Sequence, residues 1–255
     1  MKKRTVFIGG KQIGVNCLRV LLSRDLPPDL VIANTDDTGK DTWHESLVRI
    51  AKENNLPLVQ ARHVKEPEVV KKIEKINPEV IFCIGVTQLI PGHVLKIPKL
   101  GCLNIHPAML PKYRGRYSTV HAIFNGEKET GVTMHWMDSE IDSGPIIKQR
   151  RIPIKDTDTA KTLYDEFTSV GKKLFITFLD EWLKGAKIQS LAQDNKKATY
   201  YTKELPNNGE IDWRWNGKQI RNFIRAMTFE PFSPAKFTIG KKKMVIVDEK
   251  YFKGF

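Results

Sequence analysis

Three polar residues have types and a spacing that can do chemistry together: Asn104, His106 and Asp142. Asn104 and His106 close the run Gly101-Cys-Leu-Asn-Ile-His, which reads as a buried strand ahead of Pro107. Residues at i and i+2 of an extended chain point to the same face, so both side chains address one cleft. Such a pair suits transfer of an acyl group to an amine. An amide N–H can bind a developing oxyanion, and an imidazole that titrates near neutrality can move protons. Asp142 stands in Asp138-Ser-Glu-Ile-Asp-Ser-Gly144, a loop between two expected strands, where a carboxylate can orient His106 and stabilise its cation. Taken singly, each has an ordinary reading too. A histidine after a strand often serves the structure, and an aspartate before Ser-Gly often forms a turn.

The elements that must position these groups are legible as alternating short apolar runs and amphipathic stretches. Thr5-Val-Phe-Ile-Gly-Gly reads as a buried strand and a tight turn, and Ile13 to Ser23 has helical spacing. Asp29 to Asn34 is a second strand. Helix signals over 44–54 and 67–76 alternate with strands at Leu58-Val59 and Val80 to Gly85. This alternation argues for an α/β fold with a mainly parallel sheet. Gly131 to Met137 and Gly144 to Ile154 read as two further strands, expected to be antiparallel neighbours, and Thr159 to Lys184 as a long amphipathic helix. Composition turns polar after about residue 190. That places a domain over 1–190 and a small subdomain over 191–255, with a short helix from Gly217 to Met227 and a hairpin of Lys236-Phe-Thr-Ile-Gly and Met244-Val-Ile-Val247.

Composition sets outer bounds. The chain has 255 residues, 40% of them hydrophobic, and fits a soluble globular protein without a bilayer-spanning run. Met1-Lys-Lys-Arg followed by apolar residues superficially looks like a leader. The apolar part stops at Gly9-Gly10-Lys11, which favours a first strand and a cytoplasmic protein. Cys17, Cys83 and Cys102 sit among apolar residues with no metal-ligand spacing, as core fillers in a reducing compartment. The net charge of +13, from 42 Lys+Arg against 29 Asp+Glu, favours anionic ligands. No basic stripe interleaved with aromatics occurs, so charge alone does not indicate nucleic acid, and without a spanning run no membrane partner is expected. Gly9 to Gly14 departs from both the dinucleotide and the Walker spacings. It is either an anion-contacting turn or simply a tight strand–helix junction.

The chemistry-bearing residues sit in a longer pattern. Asn104-Ile-His-Pro107, Leu110-Pro-Lys-Tyr-Arg-Gly115, Gly131-Val-Thr-Met-His135 and Asp142-Ser-Gly-Pro-Ile-Ile-Lys-Gln149 resemble the folate-dependent formyltransferases. That family includes methionyl-tRNA formyltransferase, glycinamide ribonucleotide formyltransferase and the nucleotide-sugar N-formyltransferases. The resemblance covers most of 1–190 and is most specific over 101–150. It implies a Rossmann-like core, Asn104, His106 and Asp142 as the catalytic trio, and 10-formyltetrahydrofolate as cosubstrate. The pterin would lie against Ile84, Val86 and Leu89 of one loop and Asp138 and Ile141 of another, largely through backbone groups.

The acceptor rests on finer likeness. Lys112-Tyr-Arg114-Gly-Arg116-Tyr117 resembles the nucleotide-sugar enzymes, among them the domain that acts on a uridine diphosphate 4-amino-arabinose. Two arginines there suit forked hydrogen bonds to a diphosphate. The expectation is an N-formyltransferase acting on a nucleotide-linked amino-deoxyhexose for surface polysaccharide synthesis, with Lys112, Arg114, Arg116 and Tyr117 holding the substrate. A methionyl-tRNA enzyme is the alternative. Against it, about 65 residues after the boundary are few for a full tRNA-binding barrel. A non-catalytic folate-binding relative is a third reading. A homodimer through the C-terminal hairpin would cover its exposed edge.

Overall fold

The computed structural model describes residues 3–240 and 242–246. Met1 and Lys2 of the basic start, and Lys241 and Val247 of the expected hairpin, lie outside the described residues. The chain forms two compact units, each assembled from separated stretches: 1–106, 133–149 and 168–193 make the first, and 107–132, 150–167 and 194–255 the second.

The elements follow in chain order. They are β1 (Thr5–Gly9), α1 (Lys11–Ser23), β2 (Leu30–Ala33), α2 (Leu47–Glu53), β3 (Leu58–Gln60), α3 (Pro67–Ile76), β4 (Val80–Ile84), α4 (Gly92–Leu95) and β5 (Gly101–His106). Next come β6 (Arg114–Gly115), α5 (Ser118–Phe124), β7 (Glu129–Trp136), β8 (Ile146–Pro153) and α6 (Ala160–Leu183). The last are β9 (Tyr200–Tyr201), α7 (Gly217–Met227), β10 (Ala235–Ile239) and β11 (Lys242–Ile246). Seven strands make one sheet in the order β3-β2-β1-β4-β5-β7-β8. From β3 to β5 the neighbours are parallel, and β7 runs antiparallel to β5. This is the expected Rossmann-like α/β core with a mainly parallel sheet, and the C-terminal helix and antiparallel hairpin are present as α7 and β10–β11.

In the first unit the strands alternate cleanly between two buried faces, as a sheet covered on both sides requires. Val6, Ile8, Ile32, Ile81 and Cys83 pack with Val69, Ile73 and Val94. From the other face Phe7 and Phe82 project, with Phe82 meeting Phe175, Phe178 and Trp182 edge-on at 5.1 to 6.4 Å. Burying one such ring contributes about 1.5–3 kcal/mol, so this aromatic cluster is a principal tie between α6 and the sheet. Cys83 and Cys102 are buried free thiols; the hydrogen bond between them and their burial raise the Cys83 pKa well above its usual value.

Helix α2 starts three residues later than its sequence signal. Asp37 accepts from Ser46 Oγ, Val48 N and Gly39 N, and Asp41 accepts from Ser46 N and Arg49, which keeps 37–46 as a braced loop. Ser46 then caps the helix through Arg49 N. At the turn after β4, Gly85 has φ 74°, and a Cβ there would stand 2.1 Å from the Gly10 carbonyl oxygen. Only glycine lets the two loops approach this closely.

In the second unit, β6 pairs in parallel with β9, and Phe124, Trp215 and Phe223 form an aromatic cluster with centroids 5.1 to 5.9 Å apart. Among the described residues no helix is long and apolar enough to cross a membrane.

Candidate active site

The register of β5 against β7 builds the site. Asn104 lies opposite His135 and His106 opposite Thr133. Paired residues of an antiparallel ladder share a face, so four polar side chains gather on one patch of an otherwise apolar sheet. The loop from Met137 to Pro145 folds back over that face and delivers Asp142 to it. One Asp142 oxygen stands 3.3 Å from His106 Nδ1, and the other accepts from Asn104 Nδ2 at 3.4 Å. The three residues picked out of the sequence are thus in contact, with His106 only 4% exposed.

Hydrogen-bond logic fixes the roles of the nitrogens. Asp142 is an acceptor, so His106 carries its proton on Nδ1 and leaves Nε2 as the basic nitrogen. His135, at the end of the run Gly131-Val-Thr-Met-His135, is a fourth member of the site. Its Nδ1 lies 2.9 Å from the Trp136 carbonyl oxygen, which can only accept, so Nδ1 carries the hydrogen. Its Nε2 is then a lone pair that receives Asn104 Nδ2 at 3.2 Å. Both amide hydrogens of Asn104 are therefore aimed by neighbours, one by an imidazole and one by a carboxylate. Alternation from Thr133 to His135 was the available sequence signal, since it places His135 on the same face as Thr133. Below them, Gln149 Nε2 donates to Thr133 Oγ1 at 2.8 Å.

The Asp142 loop is tightly held. Asp138 accepts from Ser143 Oγ at 2.5 Å and from Glu140 N at 3.1 Å. Trp136 N donates to the Pro145 carbonyl at 3.0 Å. Asp142 itself has φ 51°, a left-handed backbone that costs a non-glycine residue about 1–2 kcal/mol and persists only under external restraint.

Residues 11–179 match the formyl transferase family, and residues 205–253 match the formyl transferase C-terminal domain. The chain belongs to the formyl transferase family. It is 34% identical over 228 residues to a methionyl-tRNA formyltransferase of Thermodesulfovibrio yellowstonii, an alignment that spans 88% of this chain and 73% of that one. Among solved structures it is similar to an N-formyltransferase from Helicobacter canadensis in complex with folinic acid and dTDP-3-aminofucose. The TM-score there is 0.79 at 28% identity, over 95% of this chain and 86% of the other. It is also similar to WlaRD, a sugar 3N-formyl transferase in the presence of dTDP and 5-N-formyl-THF. In that case the TM-score is 0.78 at 27% identity, over 96% and 85%.

Within this formyltransferase the residues expected to meet the cosubstrate occupy two loops of the first unit. Ile84 is buried at the end of β4, and its carbonyl accepts from Gly10 N at 3.3 Å, so its side chain belongs to the core. Val86 is half-buried against the apolar cluster, while Leu89 is 71% exposed. In the other loop Ile141 is 45% exposed and Asp138 faces solvent. A cleft of about 300 Å³ opens at the carboxyl ends of β1, β2 and β4, lined by Gly10, Asn34, Lys40, Trp43, Gly85 and Gln88 among others.

The four residues expected to hold the acceptor lie together in the second unit, on the turn between β6 and α5 and just before it. Lys112, Arg116 and Tyr117 are exposed. Arg114 is not: it is fully buried, donates to Tyr200 Oη and to Asn195 Oδ1 at 2.8 Å, and lies 5.3 Å from the Tyr200 ring. The reason is topological. Arg114 and Gly115 pair with Tyr200 and Tyr201, which turns the guanidinium inward as a brace between distant segments.

Proposed function

We propose that this folate-dependent formyltransferase moves the formyl group of 10-formyltetrahydrofolate to the amine of an amino-deoxyhexose linked to a nucleoside diphosphate. The observation that carries the acceptor is the likeness, over 95–96% of the chain, to sugar N-formyltransferases, two of them with dTDP or a dTDP-amino sugar bound. The 34% identity to a methionyl-tRNA formyltransferase and the net charge of +13 favour the second reading, a tRNA-linked amine.

The residues fit the folate cosubstrate. Leu89 and Ile141 leave apolar surface exposed on the two loops expected to flank the pterin, which is where an aromatic heterocycle gains most from burial. Val86, Asp138 and the backbone at Ile84 complete that set. For the acceptor, Lys112, Arg116 and Tyr117 are the exposed contacts to the diphosphate, and Arg114 acts from within by holding their turn. Products of this kind enter surface polysaccharide.

In this reading the amine attacks the formyl carbon while Asn104 donates to the growing oxyanion. At 3.2 and 3.4 Å its present hydrogen bonds are long, so a developing negative charge displaces one of them. His106 Nε2 takes the proton released by the ammonium and passes one to the departing folate nitrogen. Asp142 holds Nδ1 and stabilises the imidazolium between the two transfers. Dry surroundings strengthen each of these charge interactions.

Assay of a panel of amino-sugar nucleotides and of methionyl-tRNA with 10-formyltetrahydrofolate tests the acceptor. Turnover of a sugar nucleotide and none of the tRNA is expected, and the reverse outcome overturns the proposal. His106→Ala and Asn104→Ala are each expected to lower kcat about a hundredfold or more. Near-wild-type turnover in either removes the residue from the mechanism.

A further inference from the structure

We infer that Gln193 is a positioning residue for catalysis, holding Asp142 in the backbone conformation that points its carboxylate at His106. The inference rests on the formyl-transfer reading of that site. Gln193 follows α6 and stands fifty-one residues from Asp142, in the stretch between the segments 11–179 and 205–253 that match the family. Its side-chain nitrogen donates to two carbonyl oxygens at once, Asp142 O at 2.8 Å and Gly144 O at 2.7 Å.

Two features make this contact more than a loop hydrogen bond. First, its target is the strained residue. Asp142 has a left-handed backbone, which a non-glycine residue leaves for an extended or helical conformation unless something fixes its peptide. Gln193 fixes that peptide by its oxygen and fixes the one two residues on by the same nitrogen. The turn between them cannot open without losing both bonds.

Second, the clamp has its own anchor. Leu191 and Ile146 exchange both backbone hydrogen bonds, each 2.8 Å, immediately beside Gln193 and immediately after the loop. The donor is thus held in register with β8 by an antiparallel bridge, and the amide reaches back from it over the loop. On the other side, Trp136 N bonded to Pro145 O closes the loop against the end of β7. Asp142 therefore sits in a loop fixed at its base by the sheet and at its crown by Gln193. Without the amide, the two carbonyl dipoles converge with only water between them. The Asp142 peptide then turns, and the 3.3 Å contact to His106 and the 3.4 Å contact to Asn104 lengthen together.

The test combines kinetics with a readout that needs no acceptor. Gln193→Leu, Asp142→Asn and the double variant are assayed for formyl transfer, and the His106 imidazole is titrated by NMR in each. The clamp predicts a ten- to hundredfold fall in kcat for Gln193→Leu, with both KM values within about twofold. It predicts a His106 titration midpoint lowered in the same direction as in Asp142→Asn, because a carboxylate turned away no longer stabilises the cation. In the double variant, adding Gln193→Leu costs less than threefold, since there is no carboxylate left to position.

Gln193→Met keeps length and removes the donors without adding a charge, and it decides the same comparison should Gln193→Leu melt well below the wild type. A kcat within twofold of wild type, an unmoved His106 titration, or an undiminished effect of Gln193→Leu in the Asp142→Asn background overturns the inference. A wild-type chain that formylates no acceptor removes the functional reading instead, and the titrations still decide whether Gln193 acts through Asp142.

Discussion

Replacing Gly144 by alanine isolates the geometry of the Asp142 loop with the smallest possible change. Gly144 has no left-handed φ, so alanine meets no backbone penalty; the obstacle is space. A Cβ built there stands 2.0 Å from the Trp136 carbonyl oxygen, 2.9 Å from its carbon and 3.3 Å from Asp138 N. Ordinary contact begins near 3.4 Å, so the loop must move away from the end of β7 by roughly 1.4 Å. The Trp136 backbone is held in the β5–β7 ladder opposite Leu103, so the movement falls on the loop. Asp142, two residues earlier, moves with it, and contacts of 3.3 Å to His106 and 3.4 Å to Asn104 have almost no length to spare before they cease to be hydrogen bonds. A misplacement near 1 Å can cost about a hundredfold in rate, and overpacking a site costs about 1–3 kcal/mol in stability. We expect Gly144→Ala to stay folded under native conditions, with a urea midpoint somewhat reduced, and to lose about a hundredfold in kcat. Gly92→Ala, where an added Cβ meets nothing within 4 Å, is the control and should retain activity. If Gly144→Ala turns over within threefold of wild type, the dependence of catalysis on the seating of this loop is wrong.

Other outcomes follow from buried polar groups in the second unit. His121 is 7% exposed, and desolvation lowers its pKa to about 4 from 6.5. The unfolded chain therefore binds the extra proton first, so stability from the neutral ring is complete above about pH 6.5 and drains away as pH falls towards 4, by up to about 3 kcal/mol. His121→Phe keeps a ring beside Tyr201 and should show a flatter dependence of unfolding free energy on pH across that window; an identical slope counts against it. Arg114→Ala empties the buried place of the guanidinium and takes a donor from Tyr200 Oη and Asn195 Oδ1, and should destabilise the chain by about 1–3 kcal/mol in urea melts. Arg114→Lys should recover little, since one ammonium cannot serve a forked site. A stable Arg114→Ala chain that has lost only acceptor affinity would instead make Arg114 a direct ligand.

The sequence disclosed most where periodicity and chemistry coincide. The period of two in β5 placed Asn104 and His106 on one face, and short β-branched runs separated by helical spacing announced the parallel sheet. Helix α5 left no such trace because its residues 118–123 are all buried, so there is no polar side to reveal an amphipathic pattern. Strands β6 and β9 are two residues long, below any period, yet their pairing is what turns Arg114 inward and changes its meaning. Gln193 was invisible for a different reason. Its partners are two backbone oxygens, and a backbone oxygen carries no residue identity for a motif to record.

The stretches that make up the two units have a practical consequence for anyone who wishes to rebuild this enzyme. The chain passes from one unit to the other after residues 106, 132, 149, 167 and 193, so neither is a contiguous length of polypeptide. No single junction yields one unit whole and free of the other: a fragment ending at 106 divides the first unit, one ending at 193 divides the second, and one ending at 132, 149 or 167 divides both. The proposed acceptor contacts are therefore best exchanged with a relative by transplanting the short loop 112–117 into an intact chain. Fusing the front of one protein to the back of another at any junction inside 107–193 would divide both units at once.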